Sequence, residues 1–147
     1  MFIGEYSHSV DAKGRLILPS RFREELGTEC VVAKGYDGCL SVYTMEEWEG
    51  FVASLTKLSP HNPDARRVLR LLSAGATPCE LDKQGRINIP VNLREHADIC
   101  GDKVEVVVVG ALSKIEVWSA ARWKEYNEGD GSITLEEAGA NLAGMGL

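Results

Sequence analysis

The chain has 147 residues, 44% of them hydrophobic and 26% charged, an ordinary make-up for a globular protein of one domain or two small ones sharing a core, long enough to bury roughly two-thirds of its unfolded surface without staples. Its 16 basic and 22 acidic residues give a formal net charge of −6, which taken alone argues against a nucleic-acid partner. The longest apolar run, Val104–Leu112, is broken by Glu105 and too short for the about 20 residues that span a bilayer; with no signal-peptide pattern at Met1–Tyr6, no membrane role is expected and the cytoplasm is the expected compartment.

In chain order, residues 5–10 read as a short strand. Asp11-Ala-Lys-Gly14 is a turn, because an Asp side chain bonds its own downstream backbone and Gly accepts positive φ. Arg15–Leu18 is a strand ended by Pro19-Ser20, and Ser20 is placed to cap a short helix running to Leu26, with Gly27 as its stop. Val31–Lys34 and Leu40–Tyr43 form a hairpin around Tyr36-Asp37-Gly38. Thr44-Met-Glu-Glu47 is a capping box opening a helix whose Trp48, Phe51, Val52, Leu55 and Leu58 make one apolar stripe, read as core. Ser59–Pro63 is a linker. Asn62 caps a second helix with Pro63 at its first position and Ala65, Val68, Leu69 and Leu72 as its buried stripe. Arg66, Arg67 and Arg70 fall on the other side and read first as a solvated face pairing with the acidic helix before it, with DNA contact as the lesser reading.

The chain then repeats itself. Asp11–Leu26 returns as Asp82–Ala97, a shift of 71, with six identities in sixteen positions: Asp11/Asp82, Gly14/Gly85, Arg15/Arg86, Pro19/Pro90, Arg23/Arg94 and Glu24/Glu95. Further on, Leu40–Thr44 matches Ile115–Ser119, Trp48 matches Trp123 and Phe51 matches Tyr126 at a shift of 75, so four extra residues fall between Asp98 and Ile115. Each unit is strand, turn, strand, short helix, hairpin, helix. The organisation expected is a first unit over 5–47, a helical connector over 48–75, a second unit over 76–119, and a last helix with a mobile acidic Gly-rich tail over 120–147, weakly helical from Leu135 to Leu142.

The repeated segment is basic on an acidic chain. Ala12–Arg23 holds Lys13, Arg15, Arg21 and Arg23 and no acid; Lys83–Arg94 holds Lys83, Arg86 and Arg94 and no acid. Local fields steer ligands more than net charge does. An Arg fork matches guanine O6/N7 or a phosphate, and Lys supplies a point charge, so Lys13, Arg15, Lys83, Arg86, Arg21 and Arg23 are the candidate DNA contacts. Asp11, Gly14, Asp82 and Gly85 brace the loops. Duplicated D-x-x-x-R followed by G-R-[LI]-x-[LI]-P is a strong signal; one copy is a weak one. Neither a catalytic constellation nor metal-ligand spacing is present, and no cofactor is expected. The dispersed His8, His61 and His96 read as surface or packing residues, and Cys30, Cys39, Cys79 and Cys100 as small buried hydrophobes. Two rivals remain: a protein-interaction module whose basic loops meet an acidic partner, and an enzyme, for which no residue set is at hand.

Asp11-x-x-Gly-Arg15-Leu-x-x-Pro19, Arg21-Phe-Arg, the Glu-Trp48 helix, Arg66-Arg67-Val-x-Arg70-Leu-Leu, Asp82-x-x-Gly-Arg86, Pro90, Leu93-Arg94 and Glu116-Val-Trp118 together resemble the MraZ family over about Met1 to Tyr126. The resemblance implies an α+β fold: a tandem, pseudo-symmetric β-barrel of two AbrB-type swapped-hairpin repeats, flanked by helices. It implies a non-enzymatic transcriptional regulator, usually a repressor, on the nucleoid. Its partner would be double-stranded DNA carrying tandem short repeats upstream of the bacterial cell-division and cell-wall gene cluster, in its own promoter region. A ring-like homo-oligomer, an octamer or dodecamer, is implied too, with Asp11–Arg15 and Asp82–Arg86 as the DNA-contacting motifs.

Overall fold

The structure is a computed structural model that describes residues 1–146. In chain order its main elements are β1 (Glu5–Asp11), β2 (Arg15–Ile17), α1 (Ser20–Leu26), β3 (Glu29–Lys34), β4 (Leu40–Thr44), α2 (Met45–Leu55), α3 (Pro63–Gly75), β5 (Thr77–Glu80), β6 (Arg86–Asn88), α4 (Val91–Ala97), β7 (Lys103–Gly110), β8 (Ile115–Ser119), α5 (Ala120–Glu128) and α6 (Leu135–Asn141). The eight strands form one antiparallel sheet in the order β5-β3-β4-β8-β7-β1-β2-β6. The sheet curls until its two edges nearly meet, with Cys79 Sγ of β5 at 3.6 Å from the Asn88 carbonyl of β6. The architecture is therefore α+β, a nearly closed barrel with helices around it.

The strand order encodes the duplication. Exchanging each strand of the first unit for its counterpart in the second (β1 for β5, β2 for β6, β3 for β7, β4 for β8) reproduces the same circular order. The pseudo-two-fold passes through the self-related pairs β2–β6 and β4–β8. Strand β1 pairs along its whole length with β7 of the other unit, from Glu5↔Val109 to Asp11↔Lys103, and β5 pairs with β3 of the first. Neither unit can complete a sheet with its own strands, so the swap is a condition of closure.

The core lies inside this barrel. Val10, Leu16, Leu18, Phe22, Val32, Leu40, Val42, Ile87, Ile89, Leu93, Val108, Ile115 and Val117 are all buried there. Leu16 and Ile87 stand directly opposite each other at the two-fold and are 0% and 1% exposed. Strand alternation does the sorting, with Leu16 in and Arg15 and Ile17 out. The four extra residues of the second unit are spread out. The loop before β7 gains three over the one before β3, β7 itself is two longer, and the following turn is one shorter.

Several local expectations meet the structure differently. Ser20 is the first helical residue of α1, not its cap. Pro19 takes that place, and its carbonyl accepts from the Phe22 and Arg23 N–H groups, both at 3.0 Å. The related α4 begins the same way on Pro90, where Val91 has no oxygen to cap with. The expected stripe is only partly core: on α2 Leu55 is buried, Trp48 and Phe51 lean on Tyr43 and Val52 is exposed, while the helix ends at Leu55 and leaves Leu58 beyond it, exposed. On α3, Ala65 and Leu72 are buried, while Val68 and Leu69 are half-buried. Arg66, Arg67 and Arg70 make no ion pair with α2 among the described residues; Arg66 instead donates to the Pro60 carbonyl at 2.9 Å. Cys30, Cys39 and Cys79 are buried, but Cys100 is exposed. The Thr44 and Asn62 caps form as expected, with Thr44 accepting from the Glu47 N–H and Asn62 from those of Asp64 and Ala65. Among the described residues, no helix is long and apolar enough to cross a membrane.

Because Leu16 sits at the centre of both units, Leu16→Ala should destabilise the whole barrel in one transition, by about 2–5 kcal/mol. A urea titration followed by tryptophan fluorescence measures this. Two separated transitions would show that the halves are not one core.

Candidate nucleic-acid interface

The two turns that carry the repeated motif are built alike, bond for bond. Asp11 Oδ1 accepts from the backbone N–H of Lys13 at 3.0 Å and of Arg15 at 2.9 Å, and Oδ2 accepts from Arg15 Nε at 2.6 Å. Asp82 Oδ1 accepts from the N–H groups of Gln84 and Arg86, both at 2.9 Å, and Oδ2 from Arg86 Nε at 2.7 Å. One carboxylate thus closes the turn and aims the guanidinium. The Nε edge of each arginine is taken, while the terminal nitrogens of Arg15 and Arg86 have no hydrogen-bond partner among the described residues. The Arg15 N–H, followed by the Arg15 guanidinium, holds the Asp11 carboxyl below the usual carboxylate range despite an opposing desolvation. Asp82 is lowered in the same way, first by the Arg86 N–H and then by its side chain. Both acids are charged at neutral pH and serve as braces.

The glycines of the turns hold the two units together. Gly14 (φ +87°) gives its carbonyl to the Ile89 N–H at 2.8 Å, and Gly85 (φ +77°) gives its own to the Leu18 N–H at 3.1 Å. Each turn is therefore pinned by the end of the other unit's strand. A second pair of arginines fills the space beside them. Arg23 Nη1 donates to the Gln84 carbonyl at 3.2 Å, across the Gly85 turn, and Arg94 Nε donates to the Ile89 carbonyl at 2.9 Å, beside Gly14. A Cβ on Gly85 would collide with the Arg23 guanidinium, and one on Gly14 would lie 2.8 Å from Arg94 Nε.

The register of β2 on β6 decides what the face displays. Arg15 faces Asn88, Leu16 faces Ile87 and Ile17 faces Arg86. With Leu16 and Ile87 pointing inward, Arg15, Ile17, Arg86 and Asn88 share the outer face of one two-stranded ribbon. Arg15 and Arg86 are diagonal neighbours, about 7–8 Å apart. Because the strands are antiparallel, the turns bearing Lys13 and Lys83 lie at opposite ends of the ribbon, and both lysines are exposed.

Of the residues expected at the site, Lys13, Arg15, Lys83 and Arg86 come together on this ribbon, and Asp11, Gly14, Asp82 and Gly85 shape its turns. Arg21 is exposed on α1 with no hydrogen-bond partner among the described residues; Asn92 holds the matching place on α4. Arg23 differs: it is half-buried behind a turn of the other unit. Ile17 (47% exposed) and Asn88 on the ribbon face, and Arg94 as a brace, are additions from the structure. The identity of Arg23 and Arg94 in the repeat register was the available signal for the bracing pair. Nothing in the sequence marked Ile17 or Asn88, whose place depends on pairing between the units.

A family model described as "MraZ protein" matches residues 1–71 and again residues 72–144. The chain is 49% identical to the "Transcriptional regulator MraZ" of Alkaliphilus metalliredigens over the full length of both. It is 52% identical to the protein of that name in Lachnoclostridium phytofermentans, covering all of this chain and 99% of that one. With the namesake of Moorella thermoacetica it shares 54% identity over 126 residues, 86% of each chain.

Gly85→Ala should cost about 1–3 kcal/mol, since it forces a side chain into positive φ and against Arg23; chemical denaturation measures the loss. The turns also carry a pH signature. A carboxyl depressed in the folded state stabilises its turn above the ordinary carboxylate value near 3.9 and loses that effect as pH falls through the lower folded value. The Arg15 and Arg86 amide NMR shifts should therefore titrate with a midpoint below the ordinary carboxylate value. A titration centred at or above the ordinary value would contradict the bracing role.

Proposed function

The chain belongs to the MraZ family, and from that premise we propose that it is a sequence-specific DNA-binding transcriptional regulator that docks its β2–β6 ribbon on double-stranded DNA. The observation that carries this reading is the ribbon face itself. On a chain of net charge −6, it gathers Arg15, Arg86, Lys13 and Lys83 from both halves onto one convex surface with Ile17 and Asn88 between them. A major groove about 12 Å wide admits a two-stranded ribbon. The free ends of Arg15 and Arg86 suit guanine edges, Asn88 can pair with adenine, Ile17 suits a thymine methyl, and the lysines suit the phosphates on either side. Arg21 reaches the flanking backbone. Arg23 we assign to the support of the second turn.

The finer reading is a repressor of the cell-division and cell-wall gene cluster, acting in the cytoplasm on the nucleoid through tandem short direct repeats in its own promoter. One subunit offers few cations against a repulsive net charge, so the protein acts as a ring-like homo-oligomer in which neighbouring ribbons engage neighbouring repeats. The second contact is then intramolecular, which raises avidity by about 10²–10⁴. Exposed apolar side chains outside the barrel, among them Val52, Leu58, Leu71 and Tyr126, support association between copies.

Titrating the protein against its own upstream DNA, against scrambled DNA and against one repeat or several tests this. Tandem repeats should bind tightly, a single repeat and scrambled DNA poorly. Arg15→Ala and Arg86→Ala should each cost about 1–3 kcal/mol per engaged ribbon. Lys13→Ala should mainly flatten the salt dependence, by about one unit of slope per lost phosphate contact. Unchanged affinity and salt slope in Arg15→Ala would reject the ribbon as the reading surface, and equal affinity for one repeat and several would reject the avidity.

A further inference from the structure

The β2–β6 ribbon is two-fold symmetric in its backbone. Exchanging the units puts Arg15 in the place of Arg86, Leu16 in that of Ile87 and Ile17 in that of Asn88. The two strands share one burial pattern, with the arginine half-buried, the middle residue buried and the last residue exposed. The turns agree as well: the Arg15 N–H and Nε lie 2.9 and 2.6 Å from the Asp11 carboxylate, and those of Arg86 lie 2.9 and 2.7 Å from Asp82. With matching side chains, such a face would present the same groups whichever way round it docked, and would read a palindrome.

Side-chain chemistry breaks the symmetry at the one outer strand position that differs. Because the strands run antiparallel, Arg15 stands beside Asn88 at one end of the ribbon and Ile17 beside Arg86 at the other. Ile17 is 47% exposed, and Asn88 is exposed with no hydrogen-bond partner for its side-chain amide among the described residues. The Arg15–Asn88 end thus offers a fork for guanine and an amide for adenine. The Ile17–Arg86 end offers a fork for guanine and an apolar contact for a thymine methyl. The flanks differ in charge. Ser20 lines one cleft with Lys83 and Gly85, so α1 brings Arg21 to the Ile17–Arg86 end. The Ile89 N–H is bonded to Gly14, so α4 begins at the other end and carries Asn92 there. Phosphate contacts from these flanks position the protein without reading sequence, which leaves Ile17 and Asn88 as the residues that distinguish the two ends by base.

We propose that Ile17 and Asn88 set the direction in which the ribbon reads DNA, an inference that rests on the ribbon being the DNA-binding face. Each ribbon takes a box that differs from its own reverse complement, with Arg15 and Asn88 on one side of it and Ile17 and Arg86 on the other. Substitution at these two positions is enough to erase that direction or to reverse it. Ile17→Asn makes both ends alike in the Asn form, and Asn88→Ile makes both alike in the Ile form. The double exchange restores two unlike ends, turned about the two-fold.

The test selects duplexes with a random central stretch on the full-length protein, sequences those retained and compares each enriched box with its own reverse complement. The wild-type chain should enrich an asymmetric box. Ile17→Asn should enrich a palindrome built from one half of that box, and Asn88→Ile a palindrome built from the other half. The double exchange should recover the wild-type box. Ile17→Asn should also bind its own box more tightly than the wild-type box, by about 5- to 150-fold per altered base pair. A palindromic wild-type box, an unaltered asymmetric box from either single variant, or failure of the double exchange to recover the wild-type box would each overturn the direction while leaving the ribbon as a DNA-binding face. Enrichment of no sequence by any of the four chains would reject the DNA-binding reading itself, and this proposal with it. If Ile17→Asn does not fold, Asn88→Ile and the double exchange carry the same test.

Discussion

Two backbone hydrogen bonds tie the halves of this molecule at its centre: the Gly14 carbonyl to the Ile89 N–H, and the Gly85 carbonyl to the Leu18 N–H. Each turn gives its acceptor to the strand end of the other unit. A buried backbone group left without a partner is costly, so neither turn is satisfied until the other unit is in place. The pairing of β1 with β7 and of β5 with β3 extends the same dependence around the barrel. Folding of the two repeats and construction of the ribbon are thus one event.

The same constraint explains why the basic face is ordered. Arginine loses rotamer freedom when it is held in place, and an arginine loose in a loop has to lose it on binding. Here Asp11 and Asp82 hold the Nε edges of Arg15 and Arg86 beforehand and leave the outer edges free. Arg23 and Arg94 support the turns from behind: Arg23 reaches across to the Gln84 carbonyl of the other unit, and Arg94, bonded to the Ile89 carbonyl of its own unit, packs beside Gly14. Four arginines and two aspartates at equivalent places in the repeat therefore divide into display and support. The net charge of the chain does not reveal this division, because the acids outside the repeated segments outweigh it.

On the far side of the barrel the duplication is read out differently. Tyr43, Trp48 and Phe51 cluster on the first unit, and Trp118, Trp123 and Tyr126 on the second, position for position. Both clusters dock the helix that follows each hairpin, capped by Thr44 in one unit and Ser119 in the other. Their outer edges are not covered by the chain: Tyr126 is 53% exposed. The two-fold thus separates a polar ribbon at β2–β6 from aromatic flanks near β4–β8.

The sequence alone determined a good deal about this protein. It showed the repeat and the order of elements in each unit. It also showed the turn chemistry of Asp-x-x-Gly-Arg, because an Asx turn, a positive-φ glycine and an i,i+4 ion pair are local and recur in register. The helix starts at Thr44 and Asn62 were legible for the same reason. Contacts between the units were decided by the tertiary structure. It set Arg23 behind a turn, brought Ile17 and Asn88 onto the ribbon face and left the α2 stripe half-covered. Pairing of strands far apart in sequence depends on register, and a slip of one residue would have turned Arg15 inward and Leu16 outward. That register is fixed only when the whole apolar core closes around Leu16 and Ile87, so no single stretch of the chain could announce it.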